Sequence, residues 1–418
     1  MRFYFLLLFL FLNQIKENNF SKNNFVKTRT NNFTIDSKTY KFIGCNYWYG
    51  GLIFPDTNRL KNELDFLKKN KVDNLRVFIS AEGDSTYQYR VYPSLQKTKG
   101  NFDEKMMLGF DYLLTEASKR KMKIVFVLNN NWEWSGGFGQ YLEWNGFPNP
   151  ILPKTQNWDW DAYCNYISQF YNCETCNIDF QNWISFVVNR KNSITKKFYK
   201  NDETIMAWEL ANEPRPMKKE AIEHYKNWIK NSASFIKSMD KNHLVTIGVE
   251  GIISTLMNET IFEEIHRFEN IDYATIHLWP KTWQWYNGKN EEAVADSTLE
   301  KTKKYIELHA AILKKINKPL VIEEFGLHRD ENRFSSKATT KNRDLYYNFI
   351  FETGKKNNIA GYNFWGAFGL IENENTSGFM QKGMAYSADP PQEEQGLYSV
   401  FMNDSSTWEA IVKFISKL

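Results

Sequence analysis

The chain has 418 residues, with 53 Lys and Arg against 49 Asp and Glu. Its net charge of +4 is well mixed, which excludes a basic stripe for nucleic acid and a charged tail for a membrane surface. Hydrophobic residues at 42% suffice for a sizeable core, and the length admits two or three average domains or one large barrel. Aromatic residues at 16% include 14 Trp, many of them in loop-like positions rather than apolar runs, a pattern suited to stacking on flat ligands such as sugars.

In chain order, Met1-Arg2 and the apolar block Phe3 to Leu12 read as a secretory signal, too short for a comfortable transmembrane helix. Residues 1–20 are therefore expected to be a leader and the protein to be secreted. No small-residue cleavage site follows in Asn13 to Asn18, so an uncleaved membrane anchor is the alternative. Residues 13–32, rich in Asn and Lys and without periodicity, read as a linker. From there short apolar runs alternate with helical stretches, as in parallel βα units. Strands are predicted at Tyr40 to Asn46, Asp73 to Phe78, Lys123 to Asn129, Ile205 to Glu213, His243 to Gly248, Ile271 to His277, Leu320 to Glu324 and Gly361 to Trp365. Helical spacing of apolar residues marks Asn58 to Lys69, Lys105 to Lys119, Glu220 to Met239, Ser297 to Ile316 and Lys341 to Lys356.

That alternation predicts one α/β domain over residues 21–418, a single (β/α)8 TIM barrel, whose chemistry sits at the C-terminal ends of the strands. The predicted ends carry Asn46, Arg76 and Phe78, Asn129 to Asn131, Asn212 and Glu213, Glu250, His277, Glu324 and Trp365. After the last strand, Glu372 to Gln395 reads as a long loop bordering a cleft. Cys45 reads as a small buried hydrophobe, and one disulfide closing a surface loop is expected among Cys164, Cys173 and Cys176, with their pairing open. No histidine stands near that cluster and the six histidines are scattered, so no metal is expected.

Two stretches carry the chemistry. Ile205 to Pro214 is an apolar run that ends in Asn212-Glu213 and is stopped by proline; Pro319 to Gly326 repeats the design around Glu323-Glu324. Two carboxylates on two strand ends are the minimum equipment for a general acid and a nucleophile acting on a glycosidic bond. Because neighbours on a strand face opposite ways, only one of Glu323 and Glu324 is expected to face the barrel axis.

These motifs, with Gly44-Cys45-Asn46-Tyr47-Trp48-Tyr49-Gly50, Asn74-Leu75-Arg76-Val77-Phe78, Leu128 to Trp132, Trp208 to Pro214, Thr275-Ile276-His277-Leu278-Trp279-Pro280 and Asn363-Phe364-Trp365, make the chain resemble glycoside hydrolase family 5, and within it the β-mannanases. The resemblance covers nearly the whole chain after the leader. It implies an endo-β-1,4-mannanase that works by retaining double displacement on mannan, glucomannan or galactomannan, without a cofactor and as a monomer. A β-glucanase or an exo-acting β-mannosidase of the same fold is the alternative, and a non-catalytic carbohydrate-binding barrel a more distant one.

The resemblance implies roles residue by residue. Glu213 is the acid/base and Glu324 the nucleophile, with Arg76 the cation beside it. Asn212 addresses the sugar 2-hydroxyl, His277 is a neutral imidazole bridging the acid/base and substrate, and Trp365 is the platform for the sugar next to the scissile bond. Glu209 is a structural residue packed by its strand. Asn130 and Trp132 lie in a family-like motif after the third strand, and Trp48, Trp134, Trp144, Trp283 and Trp285 suit either further sugar subsites or packing. Trp279 is a departure: many relatives carry Tyr there, hydrogen-bonded to the nucleophile, and an indole can only donate.

Overall fold

A computed structural model describes residues 24–83, 89–148, 159–286, 294, 296–368, 378–381 and 383–418. The predicted leader and the first part of the predicted loop, residues 372–377, lie outside the described residues. Eight parallel strands form one sheet: β1 Phe42–Asn46, β2 Asn74–Phe78, β3 Lys123–Val127, β4 Ile205–Glu209, β5 Leu244–Thr246, β6 Ala274–Leu278, β7 Leu320–Phe325 and β8 Gly361–Phe364. Their order is β5-β4-β3-β2-β1-β8-β7-β6. β5 and β6 meet through single bonds, Asp272 N to Val245 O at 2.8 Å and Thr275 Oγ1 to Val249 O at 2.8 Å, which bring the sheet round into a barrel.

The strands are short apolar runs because helices cover one face and the barrel interior the other; β3 reads Lys-Ile-Val-Phe-Val and is buried after its first residue. Helices α1 Thr57–Lys69, α2 Glu104–Lys119, α3 Gly137–Trp144, α4 Trp160–Ile167, α5 Glu174–Val188, α6 Ile222–Met239, α7 Glu259–His266, α8 Asp296–Lys315, α9 Lys341–Lys356 and α10 Ser405–Ile415 surround it. Capping side chains start several of them: Asp56 accepts from Arg59 N, Asp103 from Lys105 N and Met106 N, and Asn258 from Ile261 N.

Five predicted helices match α1, α2, α6, α8 and α9 to within a residue or two at each end. The short helices α3, α4, α5 and α7 and the C-terminal α10 were not foreseen, because eight residues give too few turns for a clear period and α5 is apolar on more than one face. The predicted linker is also corrected. Lys27–Arg29, Asn32–Ile35 and Lys38–Tyr40 form a three-stranded antiparallel sheet, so Tyr40 belongs to that sheet and the barrel strand starts at Phe42. Phe33 and Val26 join Phe42, Val125, Met206, Leu244 and Val321 in a cluster that plugs the N-terminal end of the barrel. The Asn-rich composition masked the apolar residues that do this.

The disulfide joins Cys173 to Cys176 within the first turn of α5 rather than closing a loop, and Cys45 and Cys164 are free and buried.

One buried ion cluster ties the C-terminal helix to the barrel. Asp404, just before α10, takes two bonds from Arg329 at 2.8 and 2.6 Å, one from Arg343 at 3.2 Å and the backbone N–H of Phe401 at 2.9 Å. Both arginines are fully buried. Asp404→Ala leaves two buried guanidiniums without their carboxylate, so it is expected to lower unfolding stability by about 3–5 kcal/mol, read by urea denaturation followed through Trp fluorescence. A loss below about 1 kcal/mol, the value of a surface pair, would show that the cluster does not hold α10.

Candidate active site

Arg76 on β2 is wholly buried at the C-terminal end of the barrel, and each of its five N–H groups has an acceptor. Nε and one Nη2 hydrogen go to Glu209, at 2.9 and 2.5 Å; the other Nη2 hydrogen goes to Asn212 Oδ1 at 2.9 Å. Nη1 reaches Asn46 Oδ1 at 2.9 Å and makes a very short contact with Glu324 Oε1. Glu209 is thus structural, as expected, and faces into the barrel rather than away from it.

Glu213 arrives from beyond the end of β4. The strand stops at Glu209, earlier than predicted, and the chain continues through Asn212 N to Asn129 O at 2.9 Å and Glu213 N to Gly248 O at 2.8 Å. Glu213 has φ 51°, the left-handed region that costs energy for any residue with a Cβ and recurs at functional sites. Glu324 lies inside β7, on a strand whose register slips: Ile276 of β6 pairs with Ile322, and His277 pairs with Glu324. Glu323 is the extra residue of a β-bulge. The expected alternation therefore fails here, and Glu323 also faces the interior, its Oε2 at 3.6 Å from Arg76 Nε and 3.7 Å from His277 Nε2.

His277 Nδ1 lies 2.7 Å from Glu213 Oε1 and 3.3 Å from Glu324 Oε2. This nitrogen and one oxygen of each glutamate lie within 4.8 Å of one another. Among the described residues these three also have the spacing at which side chains hold a metal ion, but Arg76 beside them opposes a second cation. His277 bridges the two carboxylates rather than acid and substrate, because it is fully buried and does not line the cleft.

Burial and the Arg76 charge push the His277 imidazolium down to about 3, so the ring is neutral. Burial raises the proton affinity of Glu213, opposed first by the charge of Arg215 and then by the N–H of Trp132, which donates to Glu213 Oε2 at 2.6 Å. Burial raises Glu324 as well, opposed by Arg76 in direct contact and by Trp279 Nε1, which donates to Glu324 Oε2 at 3.0 Å. Two buried carboxylates this close favour a single shared negative charge. The donor sets assign it: each glutamate takes an indole N–H, but Arg76 bonds directly to Glu324, whereas Arg215 gives its bonds to Glu250 and the remaining partner of Glu213 is a neutral imidazole.

The cleft above is walled by aromatic rings. Trp132, Trp134, Trp279, Trp283 and Trp365 line it, as do Asn212, Glu213 and Glu324. Pro390 and Glu393, from the predicted long loop, border it too. Two predicted contacts are corrected. Trp48 is fully buried, packs edge-on against Trp134 at 5.4 Å and donates to Ala388 O at 2.8 Å, so it supports the wall from behind. Asn130 is fully buried and accepts from Asn212 Nδ2 at 3.1 Å and Trp132 N at 3.0 Å; it positions both residues and touches no ligand space. Of the remaining Trp, Trp144 packs on Tyr141 and Trp285 on Trp283 and Tyr305, outside the cleft lining.

Sequence reasoning missed Arg215, Glu250, Trp160, Tyr163 and Tyr398 as site residues. Arg215 pairs with Glu250 through two bonds of 2.6 and 2.7 Å and lies 5.1 Å over the Trp132 ring, which it holds against Glu213. Its signal was available, since Arg215 directly follows Asn-Glu-Pro and Glu250 stood at a predicted strand end. Tyr163 stacks on both Trp132 and the exposed Trp160, at 5.9 and 6.1 Å, and the two indoles are tilted by 31° at 6.3 Å; nothing in the sequence around Trp160 signals that placement.

The family model described as "GH family 5 beta-mannosidase-like" matches residues 23–418. Mannan endo-1,4-beta-mannosidase 4 of Solanum lycopersicum is 31% identical over 347 residues, covering 80% of this chain and 79% of that one. The crystal structure of a glycoside hydrolase family 5 mannosidase from Rhizomucor miehei is 31% identical, with a TM-score of 0.85 over 95% of this chain and 98% of that one. An endo-1,4-beta-mannanase from the same fungus, 23% identical with a TM-score of 0.71 over 94% of this chain and 100% of that one, shares the fold. On the family match over residues 23–418, the chain belongs to glycoside hydrolase family 5, among the beta-mannosidase-like members.

Proposed function

We propose that the protein cleaves internal β-1,4-mannosidic bonds of mannan, glucomannan or galactomannan by retaining double displacement. The observation that carries the mechanism is the pair Glu213 and Glu324, with an oxygen of each within 4.8 Å in an aromatic-walled cleft. Retaining enzymes hold their carboxyls about 5–5.5 Å apart, whereas inverting ones leave roughly 6.5–9.5 Å for a water. The curated plant mannan endo-1,4-beta-mannosidases support the choice of substrate.

Glu324 attacks the anomeric carbon, its negative charge held by Arg76 and Trp279 until the bond forms. Glu213 passes its proton to the leaving oxygen, then takes one from water as the glycosyl ester is hydrolysed. Asn212 spends one Nδ2 hydrogen on Asn130 and keeps the other for the sugar 2-hydroxyl. Trp365 supplies the stacking face beside the nucleophile, set edge-on to Trp279 at 5.8 Å.

A second reading, exo-acting hydrolysis of short mannosides, is favoured by one observation: the likeness in shape to the fungal mannosidase exceeds that to the fungal endo-mannanase. Mannohexaose separates the two. Endo action is expected to release mannobiose, mannotriose and mannotetraose early, whereas mannose and mannopentaose as the only early products would favour the exo reading. Carob galactomannan is expected to be degraded and carboxymethylcellulose left intact; the reverse preference would make the enzyme a glucanase.

Glu324→Ala is expected to abolish mannan hydrolysis, and azide to restore cleavage with a glycosyl azide of inverted configuration. Near wild-type hydrolysis by this variant would remove Glu324 from the chemistry.

The pH dependence follows from the same pair. Activity needs Glu213 protonated, and burial raises its proton affinity, so activity falls only as pH passes above the ordinary glutamate value of about 4.3. The alkaline limb of kcat/KM is expected above that value. A limb at the ordinary value would show that burial does not tune the donor.

A further inference from the structure

Two buried polar atoms that lack a hydrogen-bond partner face each other beneath the cleft. They are Glu323 Oε2 and His277 Nε2, 3.7 Å apart. Orphaned buried groups are rare enough that each needs a reason. Burial and the neighbouring charge of Glu209, whose two oxygens already take N–H groups from Arg76, raise the proton affinity of Glu323 well above the ordinary carboxylate range. Two carboxyl oxygens meet only through a proton, and Glu209, paired with the guanidinium, is the better anion. Glu323 is therefore the acid, its O–H turned to Glu209 and its Oε2 a carbonyl oxygen that can only accept.

We propose that Glu323 is a positioning residue for the proton donor: its Oε2 accepts Nε2–H of His277 and fixes the tautomer whose Nδ1 lone pair faces Glu213. Glu213 Oε1 lies 2.7 Å from that lone pair, so their hydrogen bond exists only when Glu213 carries the proton. The bulge at Glu323 is what brings the acid round to the imidazole, and bonds of this kind tighten when substrate closes the site. The opposite tautomer would need Glu323 to turn its O–H to Nε2, leaving a bare oxygen against the Glu209 carboxylate. The inference rests on the reading of Glu213 as acid/base.

Other charges face the same groups. Around Glu323 stand Glu209, Arg76 and Glu324, with the Tyr273 hydroxyl nearby. Around Glu213 and His277 stand Arg76, Arg215, Glu250 and Glu324. All of these remain in place when Glu323 alone is changed, so a shift on its substitution reports the His277 contact or the Glu323 charge, and two variants tell these apart.

The direct test is nitrogen-15 NMR of the full-length protein labelled at histidine, with His277 assigned by its loss in His277→Asn. A proton on Nε2 and none on Nδ1 is expected; a proton on Nδ1 overturns the proposal, and this readout needs neither catalysis nor a Glu323 variant. In kinetics, Glu323→Leu is expected to lower the alkaline limb of kcat/KM by about one pH unit. Glu323→Gln, whose amide donates to Glu209 and accepts from Nε2, is expected to restore it. An unmoved limb in Glu323→Leu, or an equal shift in both variants, overturns the proposal. Hydrolysis that survives Glu213→Ala would instead sink the acid/base reading and leave the tautomer result standing.

Discussion

A single guanidinium with no free N–H fixes the interior of this barrel. Arg76 gives its five donors to Glu209, Glu324, Asn46 and Asn212, which come from three different stretches of chain. A planar fork of this kind sets directions as well as charge, so Glu324, Asn212 and Glu209 are aligned by one side chain. It also sets the proton count. One positive charge among Glu209, Glu323 and Glu324 cannot neutralise three carboxylates in a buried site, so a proton must stay. The same reasoning extends to Glu213, which reaches the cluster through His277.

Regular strands would not gather these groups. In a parallel barrel successive side chains alternate between the interior and the helices, which keeps neighbouring residues apart. The chain departs from regularity twice, once by ending β4 early and turning Glu213 into the left-handed region, once by bulging β7 at Glu323. A strained residue costs on the order of 1–3 kcal/mol, so it persists only where the surroundings over-determine it. Here they do: Glu213 N is held by Gly248 O, Asn212 N by Asn129 O, and Glu323 O accepts from Asn46 Nδ2 at 2.9 Å. The run of Asn129 to Asn131 is a brace for this backbone.

This division explains what the sequence disclosed. Arg76, Glu213, His277 and Glu324 were legible because each is a polar residue at the end of an apolar run, where burial demands a partner. Trp279 donates to Glu324 as its chemistry allowed, although the family pattern has Tyr there. What failed depended on the third dimension. Strand alternation misplaced Glu323, since a bulge leaves no mark in composition. Trp48 and Asn130 sit in family-like motifs yet face inward, because a motif gives order along the chain and not the side a residue presents. Trp160 and Tyr163 join the wall from a helix between β3 and β4 that has only eight residues.

The two indoles on the carboxylates show how one side chain serves two purposes. Trp132 and Trp279 each line the cleft and give an N–H to a glutamate, Glu213 and Glu324 in turn. An apolar face suits the C–H side of a sugar ring and keeps water off the carboxylates, while the N–H holds the oxygen in place. Unlike a tyrosine hydroxyl, an indole can neither accept a hydrogen bond nor give up its proton in this pH range. Its bond to Glu324 therefore favours the ionised form at every stage, and the bond weakens only when the oxygen becomes part of the glycosyl ester. Fixed donors thus hold the charge on Glu324, and the shared proton is left on the Glu213 side, which is the division of labour that the proposed double displacement requires.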